Sequence, residues 1–202
     1  MKNNLQFSTT DKQQTSLKNI LQKNTQFMKV LVFLQSIKVP YFYIGGGCVP
    51  QIVWNYYHQF DLNNGIKDFD IVYFDSQNLS TKNEEYLQKR INKRFQNHLT
   101  SLEVVNEART HLWYEKDFGK KIPPYVSTED AIFSFPTTAS AIGATLDKNK
   151  NLKIFAPHGL SDLFGLIVRA NKIQVSKDIF ESKAKRWQTI WPKLTIIPWN
   201  YD

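Results

Sequence analysis

Three acidic residues in the middle of the chain are the side chains best suited to do chemistry. Asp68 and Asp70 stand two positions apart beside an apolar run. Residues i and i+2 of a strand point to the same side, so both carboxylates can converge on one divalent cation. Glu103 interrupts a later apolar run, where burial of its charge would be costly without a partner. Because carboxylate oxygens suit hard cations, the pattern predicts a magnesium site.

A run of glycines precedes the acidic pair. It follows a short apolar segment and opens a predicted helix. Backbone N–H groups at such a turn can meet phosphate oxygens, which makes Gly46 and Gly47 candidate nucleotide-binding residues. Together with the carboxylates, the turn indicates magnesium-dependent phosphoryl or nucleotidyl transfer, in which the ions activate the attacking hydroxyl and hold the triphosphate.

Each of these features also has a simpler explanation. An Asp-x-Asp pair is common at the start of a strand, and a glycine run is often only a turn. Glu103 would simply face water if its strand lay at the edge of the sheet. Their order along a strand–helix–strand–helix–strand pattern is more specific than any one of them alone.

Hydrophobic periodicity predicts the elements that must position these residues. The pattern is that of an α/β (α+β) protein with a mixed sheet. Ser16, Ser80 and Ser127 are predicted to cap helices. The predicted helices cover 16–39, 49–60, 84–98, a segment from 127, a turn at 159–164, and 177–191; the predicted strands are 41–44, 70–74, 102–105, and a hairpin of 141–146 with 152–155.

Composition limits the classes of protein to which this chain can belong. Residues 1–15 are predicted to form a flexible polar tail, and 16–202 one domain, because 42% hydrophobic content supports a packed core. The single cysteine, Cys48, excludes an internal disulfide. The polar N-terminus predicts no secretory signal, and no apolar run is long enough for a membrane span. We therefore expect a cytoplasmic protein.

The net charge of +8 favours partners that carry phosphate. No dense block of Lys and Arg is present, and a lysine-rich surface explains the charge equally well. Lys183, Lys185 and Trp187 could contact nucleic acid, but a solvated helix face is the better interpretation of this segment.

Two arginines are weaker candidates for binding the nucleotide. Arg109 follows Glu103 closely and could hold a phosphate through two hydrogen bonds; an ordinary ion pair is an equal alternative. Arg169 follows an apolar run and could reach a triphosphate. Asp130 and Asp162 stand at predicted helix starts, where capping explains them.

These segments resemble the nucleotidyltransferase-fold superfamily, and more closely a small bacterial nucleotidyltransferase-like family long labelled a domain of unknown function. The resemblance covers roughly residues 25–200. It implies the nucleotidyltransferase fold, Mg²⁺ on Asp68, Asp70 and Glu103, and a nucleoside triphosphate such as ATP as the substrate. Cys48 stands where the family usually has Gly or Ser, and a thiol at a helix start could be reactive. The matching segments are 47–55, 67–75, 103–113, 127–132, 156–164 and 191–194.

Three functions remain open at this stage. The first is a magnesium-dependent nucleotidyltransferase acting on an unidentified acceptor, which could be a small molecule, an RNA or a protein. The second is a non-catalytic nucleotide- or RNA-binding module on the same fold. The third is a regulatory or toxin–antitoxin partner protein. Acceptor pockets lie on loops and appended helices, which the sequence pattern does not decode.

Overall fold

The computed structural model describes residues 11–96 and 100–201. Two helices, α1 (Asp11–Lys23) and α2 (Thr25–Ser36), replace the single helix predicted over 16–39. The break is at Asn24, whose side chain accepts a hydrogen bond from the backbone N–H of Phe27 at 3.0 Å and so caps α2. Ser16 lies inside α1, so the predicted cap there is wrong. The helix includes residues 11–15 of the predicted tail, and residues 1–10 lie outside the described residues.

A five-stranded mixed sheet forms the centre of the protein, as predicted. Its order is β3-β2-β1-β4-β5. β2 and β3 are parallel, and the other neighbours are antiparallel. The strands are β1 (Tyr43–Gly45), β2 (Asp68–Tyr73), β3 (Ser101–Asn106), β4 (Gly143–Leu146) and β5 (Leu152–Phe155).

Six further helices flank the sheet. Ser80 and Ser127 cap α4 and α6 through their side chains, as predicted. The predicted helix over 84–98 begins earlier and ends at Arg94, and residues 97–99 lie outside the described part of the chain. The helices are α3 (Cys48–His58), α4 (Thr81–Arg94), α5 (Thr110–Phe118), α6 (Thr128–Phe133), α7 (Ser161–Phe164) and α8 (Lys177–Ile190).

A second, two-stranded sheet joins β6 (Ile167–Val168) and β7 (Thr195–Ile196). Sequence analysis missed both strands, because two residues are too few to show an alternating pattern. Beside this sheet, Trp54 of α3 packs against Trp187 and Trp191, with ring centroids 5.0 and 5.4 Å apart. The C-terminal segment is thereby fixed against the helix that follows the glycine turn.

The two faces of β2 differ in burial. Phe69 and Ile71 are fully buried in the main hydrophobic core, together with residues of α1, α2 and α3. Asp68 and Asp70 alternate with them on the opposite, more open face. Alternation therefore places both carboxylates on the face of the sheet that the main core leaves accessible. No helix among the described residues has the length and apolar character needed to cross a bilayer.

Candidate functional site

Parallel pairing of β2 and β3 brings the predicted acidic residues together. Asp70 lies directly beside Glu103, and Asp68 lies beside Ser101, in the register of the two strands. Asp68 and Asp70 are partly exposed, and Glu103 is exposed, while the alternate residues of both strands are buried. The three carboxylates therefore share one face, and Glu103 occupies the neighbouring strand where the metal hypothesis requires a third acid.

The glycine turn is built directly against Asp70. Gly45 pairs with Asp70 across β1 and β2. Gly46 has φ +67°, and a Cβ atom there would collide with Oδ2 of Asp70. Both the left-handed backbone and the close approach require glycine at this position. The backbone N–H of Gly47 donates to the Asp70 carboxylate, so this group orients the acid.

The negative charge of Asp70 is not fully compensated by the positive groups around it. Burial, followed by repulsion from Asp68 and Glu103, raises its pKa to about 7, against the opposing effects of Lys183 and the Gly47 N–H. A cation beside a carboxylate favours the ionised form. The ionised site therefore has the charge that a divalent cation would compensate.

The fit to a magnesium ion can be tested on the same residues. Within residues 11–96 and 100–201, no three His, Cys, Asp or Glu side chains converge closely enough to form a complete metal site. Magnesium in proteins is commonly held by one or two carboxylates, with water and substrate phosphates completing the shell. Asp68 and Asp70, two acids on one strand face, of which Asp70 lines a cavity together with Gly46 and Gly47, fit such a partial ligand set.

Lys183 of α8 lies near enough to the acidic pair to interact with both charges, which corrects the prediction of a solvated helix face for this residue. It is partly buried and lines the cavity next to Asp70. Burial lowers its pKa, while attraction to Asp70 and Asp68 acts in the opposite direction. Lys185 on the same helix is exposed, as that prediction requires. The spacing of apolar residues in α8 could have singled out Lys183, because it stands three residues after the buried Phe180 and four residues before the buried Trp187.

A cavity of about 230 Å³ extends from the acidic face along β2 and β3. It starts at Gly46, Gly47 and Asp70 and continues past Val72 to Glu107, which lies in the 3-10 turn after β3. Its remaining walls come from β3, from α5, from the segments on either side of α6, and from α8 with the residues just before it. They are Val105, Thr110, Trp113, Tyr114, Phe118, Tyr125, Ser134, Phe135, Pro136, Ser140, Gln174, Val175, Ile179 and Lys183.

Sequence analysis did not single out Glu107 as a site residue, yet it is the second acid that lines this cavity and, unlike Asp70, it is buried. Its side chain is 5% exposed, and Oε2 accepts a hydrogen bond from the hydroxyl of Thr110 at 2.7 Å. Burial raises its pKa to about 7, against the effect of that hydrogen bond. Sequence analysis missed it because an acidic residue directly after a strand belongs to no pattern that would distinguish a buried side chain from an exposed one.

The structure does not bring the two candidate arginines to this cavity. Arg109 is buried, donates to Glu84 of α4 at 2.6 Å, and donates to the carbonyl of Leu79 at 2.9 Å. Arg169 forms an ion pair with Asp162 at 2.9 Å. Asp162 therefore pairs with a cation, and it does not cap α7 as predicted. These contacts give both arginines structural partners outside the cavity.

The thiol of Cys48 has neither the exposure nor the lowered pKa of a reactive cysteine. It is fully buried and donates to the carbonyl of Gly45 at 3.1 Å. Burial, reinforced by the Asp70 charge, raises its pKa well above the usual range. The helix N-terminus does not overcome these effects, so Cys48 is a packing residue beneath the glycine turn.

Comparisons with known proteins agree with this geometry. A family model described as "Nucleotidyltransferase" matches residues 33–196. A solved structure described as a CCA-adding enzyme head domain superposes with a TM-score of 0.75 at 19% sequence identity, covering 91% of this chain and 95% of that chain. At this identity, the likeness shows a shared fold. No curated protein sequence matches the chain. The family match spans most of the chain, including both strands that carry the acids, and the chain belongs to the nucleotidyltransferase family.

Proposed function

We propose that this protein is a magnesium-dependent nucleotidyltransferase that transfers a nucleotidyl group from a nucleoside triphosphate to an acceptor hydroxyl and releases pyrophosphate. The observation that supports this most strongly is the contact between the glycine turn and the acidic strand. Gly46 has no room for a side chain beside Asp70, and Asp70 lies level with Glu103 on the next strand. Phosphate and metal ligands of the expected kinds thus meet at one point.

Each residue has a role that follows from its position. Asp68 and Asp70 would hold the magnesium ion from one strand face, and the Gly47 N–H keeps Asp70 oriented toward it. Bound magnesium would supply charge neutralisation at the phosphates and lower the pKa of the attacking hydroxyl. Glu103, beside Asp70 in register, would bind on the acceptor side and help to take up the proton of that hydroxyl.

Two further groups would contact the triphosphate. The glycine turn leads directly into the N-terminus of α3 at Cys48, where the helix dipole would favour the negative charge of the phosphates. Lys183 reaches toward the same acids from α8, and its ammonium group would stabilise charge that builds up on the phosphates during transfer.

The electrostatics favour this function over magnesium-independent binding of nucleotides or RNA. Asp68, Asp70 and Glu103 repel one another strongly enough to contribute to the raised Asp70 pKa. A triphosphate would add more negative charge to this face. We therefore expect a triphosphate to bind here only when a divalent cation compensates the acids.

Calorimetry with nucleoside triphosphates, with and without Mg²⁺, tests the proposal. We expect binding that requires Mg²⁺ and is lost in Asp70→Asn, while Glu85→Gln, an exposed acid on α4, behaves as wild type. Release of pyrophosphate with RNA, protein or small-molecule acceptor fractions then measures transfer. Binding that needs no Mg²⁺ and falls steeply with salt would favour the non-catalytic module instead. Transfer that survives in Asp70→Asn would contradict the assignment.

A further inference from the structure

The far part of the cavity has walls suited to a flat ring. Trp113, Tyr114 and Phe118 come from α5, and Tyr125 and Phe135 come from the segment around α6. Aromatic side chains bind nucleobases by stacking, whatever the base. The cavity volume of about 230 Å³ is large enough for one such ring. Since the cavity is continuous with the glycine turn, a ring bound there can belong to the triphosphate held at that turn.

Two polar side chains in this cavity can form hydrogen bonds that distinguish one base from another. Glu107 is buried and accepts a hydrogen bond from the Thr110 hydroxyl through Oε2, and the other lone pairs of its carboxylate can accept hydrogen bonds from a ligand. The charged groups that act on it, Asp70 and Glu84, are both negative. Gln174 accepts a hydrogen bond from Tyr125 at 2.8 Å through its amide oxygen, so its amide nitrogen is the group that can donate to a ligand.

We propose that this cavity holds the base of the triphosphate and that Glu107 selects guanine; the inference rests on the proposed function. An ionised carboxylate presents two acceptors side by side. Guanine alone among the four RNA bases carries two adjacent donors, N1–H and the N2 amino group. Adenine and cytosine place an acceptor nitrogen beside their amino group, and uracil places its one N–H between two carbonyls. The amide nitrogen of Gln174 offers the donor that the O6 or N7 acceptor of guanine needs.

Competition between triphosphates in the presence of Mg²⁺ tests the inference at pH 8, above the pKa of about 7 of Glu107. GTP is compared with ITP, which lacks only the N2 amino group, and with ATP, CTP and UTP. A hydrogen bond to a charged group changes affinity by about tenfold or more. We therefore expect GTP to bind at least about tenfold more tightly than ITP and than the other three.

Glu107→Gln should exchange the base preference. A glutamine presents one acceptor and one donor, which matches N1–H and the C2 carbonyl of xanthine. The variant should bind XTP more tightly than GTP, whereas the wild type should show the reverse order. Because this result is a gain of binding, it cannot come from a damaged fold.

A matched pair on α5 tests the cavity without changing Glu107. Phe118 lines the cavity and is 48% exposed, so Phe118→Ala should weaken GTP binding while the fold persists. Leu112 on the same helix is 59% exposed and is not among the cavity walls. Leu112→Ala should leave GTP affinity unchanged.

The outcomes separate this inference from the proposed function. Equal affinity for GTP and ITP, or an unchanged preference in Glu107→Gln, overturns the guanine assignment. If binding still requires Mg²⁺ in that case, the nucleotidyltransferase proposal stands, and Glu107 serves another group, such as an acceptor amine. Failure of every triphosphate to bind with Mg²⁺ overturns both.

Discussion

Replacing Asp70 with asparagine should stabilise the metal-free protein at pH 8, even though it removes the central ligand of the proposed site. Asp70 is held partly buried beside Asp68 and Glu103, and its pKa is raised from 3.8 to about 7. An acid with a raised folded-state pKa binds its proton more tightly in the folded protein. Its contribution to stability is therefore full below pH 4 and is lost as the pH rises through about 7.

The size of this effect follows from the two pKa values. Each pH unit between 3.8 and about 7 corresponds to about 1.4 kcal/mol, which gives an upper value of about 4 kcal/mol at pH 8. Because Asp70 is still partly exposed, solvent screens part of its charge, and we expect about 2–4 kcal/mol. Asparagine removes the charge and still accepts the hydrogen bond from the Gly47 N–H. For a domain of this size, the midpoint of thermal unfolding should rise by roughly 5–15 °C.

Thermal unfolding of wild type and Asp70→Asn with EDTA, at pH 4 and pH 8, measures the difference. The stabilisation should appear at pH 8 and nearly vanish at pH 4. Saturating Mg²⁺ should stabilise the wild type alone, because a cation that binds only the folded state raises its stability. A variant that is destabilised at pH 8, or one whose effect is equal at both pH values, would refute this account of the acidic face.

Three further predictions concern the turn, its cysteine and the arginine outside the cavity. Gly46→Ala should lower the free energy of unfolding in urea by more than Gly119→Ala does. Both glycines have φ near +70°, for which left-handed strain accounts for about 1–2 kcal/mol, but only at Gly46 would the added Cβ also collide with Asp70. Equal losses in the two variants would contradict this collision. Arg109→Met should lower that free energy by about 2–3 kcal/mol, because it removes the ion pair of the partly buried Glu84, although the other oxygen of Glu84 keeps the hydrogen bond from the backbone N–H of Asn106. Nucleotide affinity should not change, as in a control substitution of the exposed Arg90, and a loss of affinity would mean that Arg109 contacts the nucleotide. Cys48 should react with iodoacetamide in the native protein at pH 8 far more slowly than in urea, because it is buried with a raised pKa; equal rates would show that the thiol is accessible.

The strands that carry the chemistry were predictable because they are long and strongly patterned. β2 and β3 have alternating or continuous apolar residues, so the acids within them stand out. A helical crossover between the two strands then makes them parallel, while the register that places Asp70 beside Glu103 is not determined by the crossover. Capping serines 80 and 127 were predictable for a similar reason, since their interactions are local in sequence.

Features that depend on tertiary contacts were not predictable. The helix break at Asn24 is set partly by a hydrogen bond to Asn63 at 2.9 Å, which no local pattern reveals. Glu107 becomes a cavity residue because residues of α5 and of the segment around α6 form walls of the same cavity. The partner of Arg109, Glu84, lies 25 residues away, so the sequence left a phosphate contact and an ion pair equally open.

A crystal structure with Mg²⁺ and a non-hydrolysable triphosphate tests the central claim most directly. The claim predicts a metal ion about 2.0–2.1 Å from carboxylate oxygens of Asp68 and Asp70. It also predicts that the phosphates lie against the glycine turn at the start of α3. An ordered triphosphate bound away from the acidic strand, or bound at the turn with no metal on either acid, would contradict it.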